Sequence, residues 1–193
     1  MINHIKGKLV EKTPTYAIIE CNGVGYHLNI SLNTYSKIPD NESVMLFAHL
    51  AIREDAHTLF GFIDKDERQL FLHLISVSGV GASTARMILS SLSLVEIQTA
   101  IVERNVAVLK GVKGIGAKSA ERIIIDLRDK LSKENFGSEI SIETNNSIQE
   151  EALSALIALG FGKNMAEKVV AKALKGSESD ITVEELIKTA LKE

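Results

Sequence analysis

The chain repeats itself at an offset of 35 residues, and few folds accommodate this repeat. Leu74-Ile75-Ser76-Val77-Ser78-Gly79-Val80-Gly81-Ala82 aligns with Leu109-Lys110-Gly111-Val112-Lys113-Gly114-Ile115-Gly116-Ala117. The match runs past the glycines, with Ala85 on Ala120 and Ile88-Leu89 on Ile123-Ile124. Each copy reads as a short helix, a Gly-x-Gly hairpin and a second amphipathic helix, which is a helix-hairpin-helix unit. Helical solenoids have similar periods, but they need about three or more copies to bury a continuous core. Two copies are visible.

Gly-x-Gly has a physical purpose. Residues without Cβ let backbone N–H groups approach a phosphate closely, at the positive end of the following helix dipole. Gly79, Val80 and Gly81 in one copy and Gly114, Ile115 and Gly116 in the other are therefore candidate anion cradles. Such cradles touch phosphate and sugar and no base edge, so they fix register on a duplex without reading its sequence. Lys118 and Arg122 lie four apart at the start of the helix after the second hairpin, which puts both cations on one face beside the cradle. The net charge of -3 argues against binding nucleic acid by bulk positive charge. That charge is partitioned, however: residues 63–135 carry eleven basic and nine acidic side chains and form the only basic segment.

The segments on either side differ in character. Residues 1–62 hold short runs rich in Val, Ile, Tyr and Phe, with strands predicted at Ile2 to Glu11, Tyr16 to Glu20, Val24 to Ile30, Ser43 to Ile52 and Ala56 to Ile63. Asn22-Gly23 readily supplies the two positive φ angles of a tight hairpin, and Arg53-Glu54-Asp55 forms a polar tip between the last two strands. Five short strands point to an OB-like barrel. From Asp64 the period turns helical, with Leu70, Phe71, Leu74 and Ile75 behind the acidic turn Asp64-Lys65-Asp66-Glu67. Residues 136–146 are mostly polar without a sustained period and read as a linker. Beyond them, Ser147-x-x-Glu150 and Thr182-x-x-Glu185 are capping-box patterns, and a further helix is expected near Asn164. The expected architecture is α+β and multidomain. It comprises an N-terminal OB-fold β-barrel (1–63), a helical domain with two helix-hairpin-helix motifs (64–135), a linker (136–146) and a C-terminal three-helix bundle (147–193).

Several chemistries are excluded. Cys21 is the only cysteine, so no internal disulfide or multi-thiolate metal site can form. No apolar run reaches the roughly 18 to 20 residues that cross a bilayer, and the start lacks the order of a secretion signal, so a cytoplasmic location is expected. His4, His27, His49, His57 and His73 show no ligand spacing, and Ser31, Ser76 and Ser83 have no nucleophile context. Gly111 to Ser119 nearly matches a P-loop, but Ala117 is one residue too many. The segment before it, Val106 to Lys110, aligns with a helix end and not with the strand a P-loop requires. No nucleotide, metal or other cofactor is expected.

In order along the chain, Gly23-Val24-Gly25-Tyr26, Arg53-Glu54-Asp55-Ala56, Leu59-Phe60-Gly61-Phe62, Gly79-Val80-Gly81, Gly114-Ile115-Gly116-Ala117-Lys118-Ser119-Ala120-Glu121-Arg122 and Ala155-Leu156-Ile157-Ala158-Leu159-Gly160-Phe161 resemble the motifs of the RuvA family, which binds Holliday junctions for branch migration. The resemblance spans nearly the whole chain. It implies a non-catalytic homotetramer in which each subunit's hairpins hold one arm of an open, square four-way junction, with one or two tetramers on the DNA. It also implies that Glu54 and Asp55 form an acidic pin at the junction centre. The third domain would engage RuvB, the hexameric ATPase motor, through Leu156, Leu159 and Phe161, with RuvC as a further nuclease partner. Ser83 and Ala117 depart from this pattern, since relatives often carry a lysine there.

Two other readings compete. Helix-hairpin-helix units occur in glycosylases and nucleases that add a catalytic Asp or Lys, and Asp126 is the candidate here. Arg122 and Lys130 lie four residues to either side of Asp126, which favours a surface ion-pair ladder. A protein-interaction adaptor is the third reading, and two Gly-x-Gly hairpins beside the only basic segment count against it.

Overall fold

The computed structural model describes residues 2–39, 43–134, 136, 144–175, 183, 187, 188 and 191. The chain forms two compact units, 1–138 and 139–193. In the first, five strands close a barrel in the order β1-β2-β3-β5-β4: β1 His4–Lys12, β2 Tyr16–Cys21, β3 Val24–Asn29, β4 Ser43–Ile52 and β5 His57–Phe62. Asn22 and Gly23 take φ of 50° and 83°, so the β2–β3 hairpin has the double left-handed turn expected of Asn-Gly. Strand alternation turns Ala17, Ile19, Leu28, Leu46 and Ala48 inward. A short parallel pairing, Leu28 with Leu59 and Asn29 with Phe60, closes the barrel.

Helix α1, Leu32–Lys37, leaves the barrel between β3 and β4, with the Ser31 side chain accepting from Thr34 N–H at its start. Helix α2, Lys65–Ser76, is capped by Asp64 and carries Asp66 and Glu67 in its first turn, as the acidic turn predicts. Its Phe71 ring packs 5.2 Å from that of Phe60 and 4.8 Å from that of Phe62, both on β5. The outer face of the last strand thus belongs to the helical core, together with Leu70 and Leu74. Leu74→Ala at this seam would cost about 2 to 5 kcal/mol.

Beneath that seam lies a buried carboxyl. Glu67 is 1% exposed and accepts from the Ser31 and Thr34 hydroxyls. Thr34 Oγ1 accepts in turn from Ile63 N–H. Burial pushes the Glu67 carboxyl above the ordinary 4.5, and its two hydroxyl donors offset only part of this.

Four more helices complete the unit: α3 Ala82–Ser91, α4 Leu94–Val102, α5 Val106–Lys110 and α6 Ala117–Leu131. The segment before the near-P-loop is helix α5, so the strand that a nucleotide site requires is replaced by a helix end. Helix α4 connects the two copies and starts with a full Ser93/Glu96 capping box.

The second unit contains α7 Thr144–Ala158 and α8 Lys163–Lys175, which bury Ala152, Leu156, Ala166, Val169 and Val170. Helix α7 starts before Ser147, so the Ser147-x-x-Glu150 pattern lies inside the helix and does not open it. It ends with Gly160 at φ 99°, while Phe161 N–H donates to Leu156 O and Gly160 N–H to Ile157 O, which is a Schellman closure. At both ends of the expected linker the structure differs: Phe136 is buried in the core of the first unit and 144–146 already form the start of α7. Residues 137–143, the Thr182 capping box and most of the third helix lie outside the described residues.

Candidate nucleic-acid interface

The two hairpins share one backbone. Val77 N–H donates to Leu74 O at 3.2 Å and Val80 N–H to Val77 O at 3.0 Å. In the second copy, Val112 N–H reaches Leu109 O at 3.2 Å and Ile115 N–H reaches Val112 O at 3.1 Å. The third residue of each turn, Gly79 or Gly114, has φ of 89° or 90°, a conformation that costs other residues about 1 to 2 kcal/mol. Val80 and Ile115 are buried and anchor the loops in the core, and their N–H groups close the turns, so they shape the cradles without giving a ligand a side chain or a free amide.

The glycines of each Gly-x-Gly therefore do different work. Gly79 and Gly114 meet the turn geometry. Gly81 and Gly116 have ordinary extended φ and open α3 and α6 as N-caps, with no side-chain hydrogen bond to the helix start. Helices α1, α2, α4 and α5 are all capped by a side chain, from Ser31, Asp64, Ser93 and Asn105. Neither α3 nor α6 carries an acidic residue in its first turn. The amides of residues 82–84 and 117–119 have no helical acceptor, because the first helical acceptances are by Gly81 O from Ala85 N–H and by Gly116 O from Ala120 N–H. Two positive helix ends are thus left open, and an anion fits each.

The cations fall around the second hairpin. Lys118 is exposed in the first turn of α6. Lys113, which the sequence reading did not single out, is exposed within the second turn beside Gly114. Arg122 is also exposed, but its Nη1 donates to Ser78 O of the first hairpin at 3.2 Å. The expected ion-pair ladder is absent: among the described residues no salt bridge joins Asp126 to Arg122 or Lys130, and the Arg122 guanidinium instead reaches the other hairpin. Asp126 is exposed on α6 and lines neither of the clefts along α4.

The barrel side of the first hairpin is held in place as well. Arg86 Nη1 on α3 donates to Thr15 O at 3.1 Å and Asn29 Oδ1 at 3.0 Å, and Asn33 Nδ2 donates to Leu89 O and Leu92 O at the C-terminal end of α3. Glu54 and Asp55 stand exposed at the β4–β5 tip, which Arg53 N–H closes by donating to Ala56 O at 2.8 Å. In the second unit Leu156 is fully buried and Phe161 half-buried at the Schellman turn, whereas Leu159 is 60% exposed. Of those three, only Leu159 presents its side chain openly. Among the described residues no group of three His, Cys, Asp or Glu side chains gathers to hold a metal, and no single helix is long and apolar enough to cross a membrane.

A closed five-stranded barrel leading into paired helix-hairpin-helix units, with both helix starts uncapped by side chains, defines a class of nucleic-acid-binding proteins. The comparisons with known proteins narrow that class. Residues 1–61 match the RuvA N terminal domain, 71–129 the SAM-like helix-hairpin-helix tandem and 147–193 the RuvA C-terminal domain. The chain is 55% identical over 192 residues to the "Holliday junction branch migration complex subunit RuvA" of Christiangramia forsetii, covering 100% of this chain and 99% of that protein. The subunits of the same name from Flavobacterium psychrophilum and Bacteroides fragilis are 52% and 49% identical, with the same coverage. The chain belongs to the RuvA family.

Proposed function

We propose that this chain is the DNA-binding subunit of a branch migration complex, holding a four-way junction through its paired hairpins without reading sequence. The observation that carries this reading is the pair of glycine N-caps, Gly81 and Gly116, which leave two helix starts uncapped in a unit whose other four helices are capped by side chains. Phosphates would supply the missing acceptors. Gly79 to Gly81 and Gly114 to Gly116 form the cradles, with Lys118 as the adjoining cation. Glu54 and Asp55 act as the pin that disfavours uninterrupted duplex at the crossover. The chain is not the ATPase motor.

Its partners extend the proposal. Four copies assemble with four-fold symmetry, so each duplex arm meets one pair of hairpins, and one or two such tetramers engage a junction. Residues 147–193 engage the RuvB ATPase through an apolar surface that includes Leu159, while RuvC is a candidate nuclease partner. The work takes place in the cytoplasm. The division at 1–63, 64–135, 136–146 and 147–193 assigns the barrel and pin, the DNA clamp, the tether and the motor contact.

A gel-shift competition between a four-way junction and linear duplex of equal sequence tests the reading. Junction preference is expected, and preference for linear DNA would reject it. Light scattering with and without junction DNA tests the assembly, and a monomer under both conditions would reject the tetramer.

A further inference from the structure

We infer that Arg122 is a positioning residue, which sets the first phosphate cradle relative to the second rather than neutralising a phosphate itself. The inference rests on the reading of both hairpins as phosphate cradles. Arg122 lies in α6, the helix opened by the second hairpin, yet its Nη1 donates to Ser78 O, 44 residues earlier in the first hairpin. Ser78 is the second residue of the turn, immediately before Gly79 with its φ of 89°. The bond therefore fastens the first turn at the peptide that leads into its left-handed residue.

Two cradles can engage one duplex together only when their separation and tilt match the backbone they grip, and a loose cradle loses the benefit of being tethered to its partner. The first hairpin is held to the barrel side by Arg86, which donates to Thr15 O and Asn29 Oδ1. Arg122 supplies a polar tie on the other side, toward the second hairpin. Its counterpart 35 residues earlier is Met87, which has no charge and no such donor. The tie therefore runs in one direction, from the second copy to the first. A planar guanidinium suits this role, because its fixed donor fork holds a carbonyl with little further loss of freedom.

The experiment compares full-length wild type with Arg122→Ala and Lys118→Ala, measuring junction affinity against salt and amide hydrogen exchange at Val80. A phosphate contact contributes about 0.9 to the log-log salt slope on duplex DNA. Arg122→Ala is expected to weaken binding about tenfold, the scale of a lost hydrogen bond to a charged group. It should leave the salt slope unchanged and speed exchange of the Val80 amide, although the substitution lies on the other copy's helix. Lys118→Ala should lower the slope and leave Val80 exchange as it was. A lower slope in Arg122→Ala, unchanged exchange at Val80 or undiminished affinity would each overturn the inference. Failure of the underlying reading has a separate signature: Gly81→Ala and Gly116→Ala would then bind junctions as wild type does.

Discussion

Gly81 and Gly116, 35 residues apart, open their helices in one backbone state, with φ −85° and ψ 166° at the first and φ −83° and ψ 166° at the second. A Cβ on either would meet no atom within 4 Å in the free protein. Neither the turn nor the packing therefore demands glycine at these positions. An approaching phosphate would, because the space a Cβ would fill lies beside the open amides.

This separates two kinds of glycine substitution. Gly81→Ala and Gly116→Ala should fold normally, losing at most about 1 kcal/mol for alanine at an N-cap. Both should weaken junction binding by about tenfold or more. Gly79→Ala and Gly114→Ala force a side chain into the left-handed region and should lower stability by about 1 to 2 kcal/mol each. Thermal unfolding read beside gel shifts distinguishes the pairs. Equal destabilisation of all four variants would remove the distinction.

Glu54→Ala combined with Asp55→Ala should relax selectivity and retain binding. Two carboxylates at an exposed tip repel a phosphate backbone that runs straight past it, by about 1 kcal/mol per close pair of charges in water. Separated strands can turn away from the tip, whereas continuous duplex cannot. Competition of labelled junction with linear duplex should show the preference narrowing several-fold, mostly through tighter duplex binding. An unchanged ratio would place the tip away from the DNA.

Much of this was legible because local chemistry and tertiary role agree. Asn22-Gly23 is a hairpin wherever its strands pair, and two matched Gly-x-Gly copies mark their own turns. Helix α1 has only six residues, too short to display a helical period. Helix α4 does carry a sequence signal, the Ser93-x-x-Glu96 capping box, although its nine residues lie between the two repeat copies and belong to neither. Leu156 and Phe161 share an apolar motif with Leu159, and only the Schellman turn sorts buried from exposed. For Arg122, spacing along one helix pointed to Asp126, while the acceptor it reaches lies on a distant loop that no local pattern names.

The buried Glu67 carboxyl should make stability depend on pH. Its folded value is raised, chiefly by burial, with the Ser31 and Thr34 hydroxyls acting in the opposite direction. A raised carboxyl means that the native state holds its proton more tightly than the unfolded chain does. Its contribution to stability is full below the ordinary 4.5 and is lost as pH rises through the folded value. Glu67→Gln cannot ionise and should lack this component. Urea midpoints from about pH 4 to about pH 8 should show the wild type losing ground to the variant as pH rises. Parallel curves would mean that Glu67 titrates as it does in the unfolded chain.

Salt dependence examines the balance between backbone and side-chain contacts. Ser83 and Ala117 offer no charge in the first turns of α3 and α6, so under the proposed reading amides would carry contacts that lysines would otherwise make. An amide that meets a phosphate does not neutralise it and releases few counterions, so the log-log slope should be shallow for the number of phosphates approached. Ser83→Lys and Ala117→Lys should each steepen it by about 0.9 and tighten binding at low salt, since both positions are exposed in the first turn after the glycine N-cap. Lys118→Ala should flatten it by about the same amount. A wild-type slope already as steep as that of a lysine-rich interface, unmoved by either addition, would mean that the DNA lies against some other face of the protein.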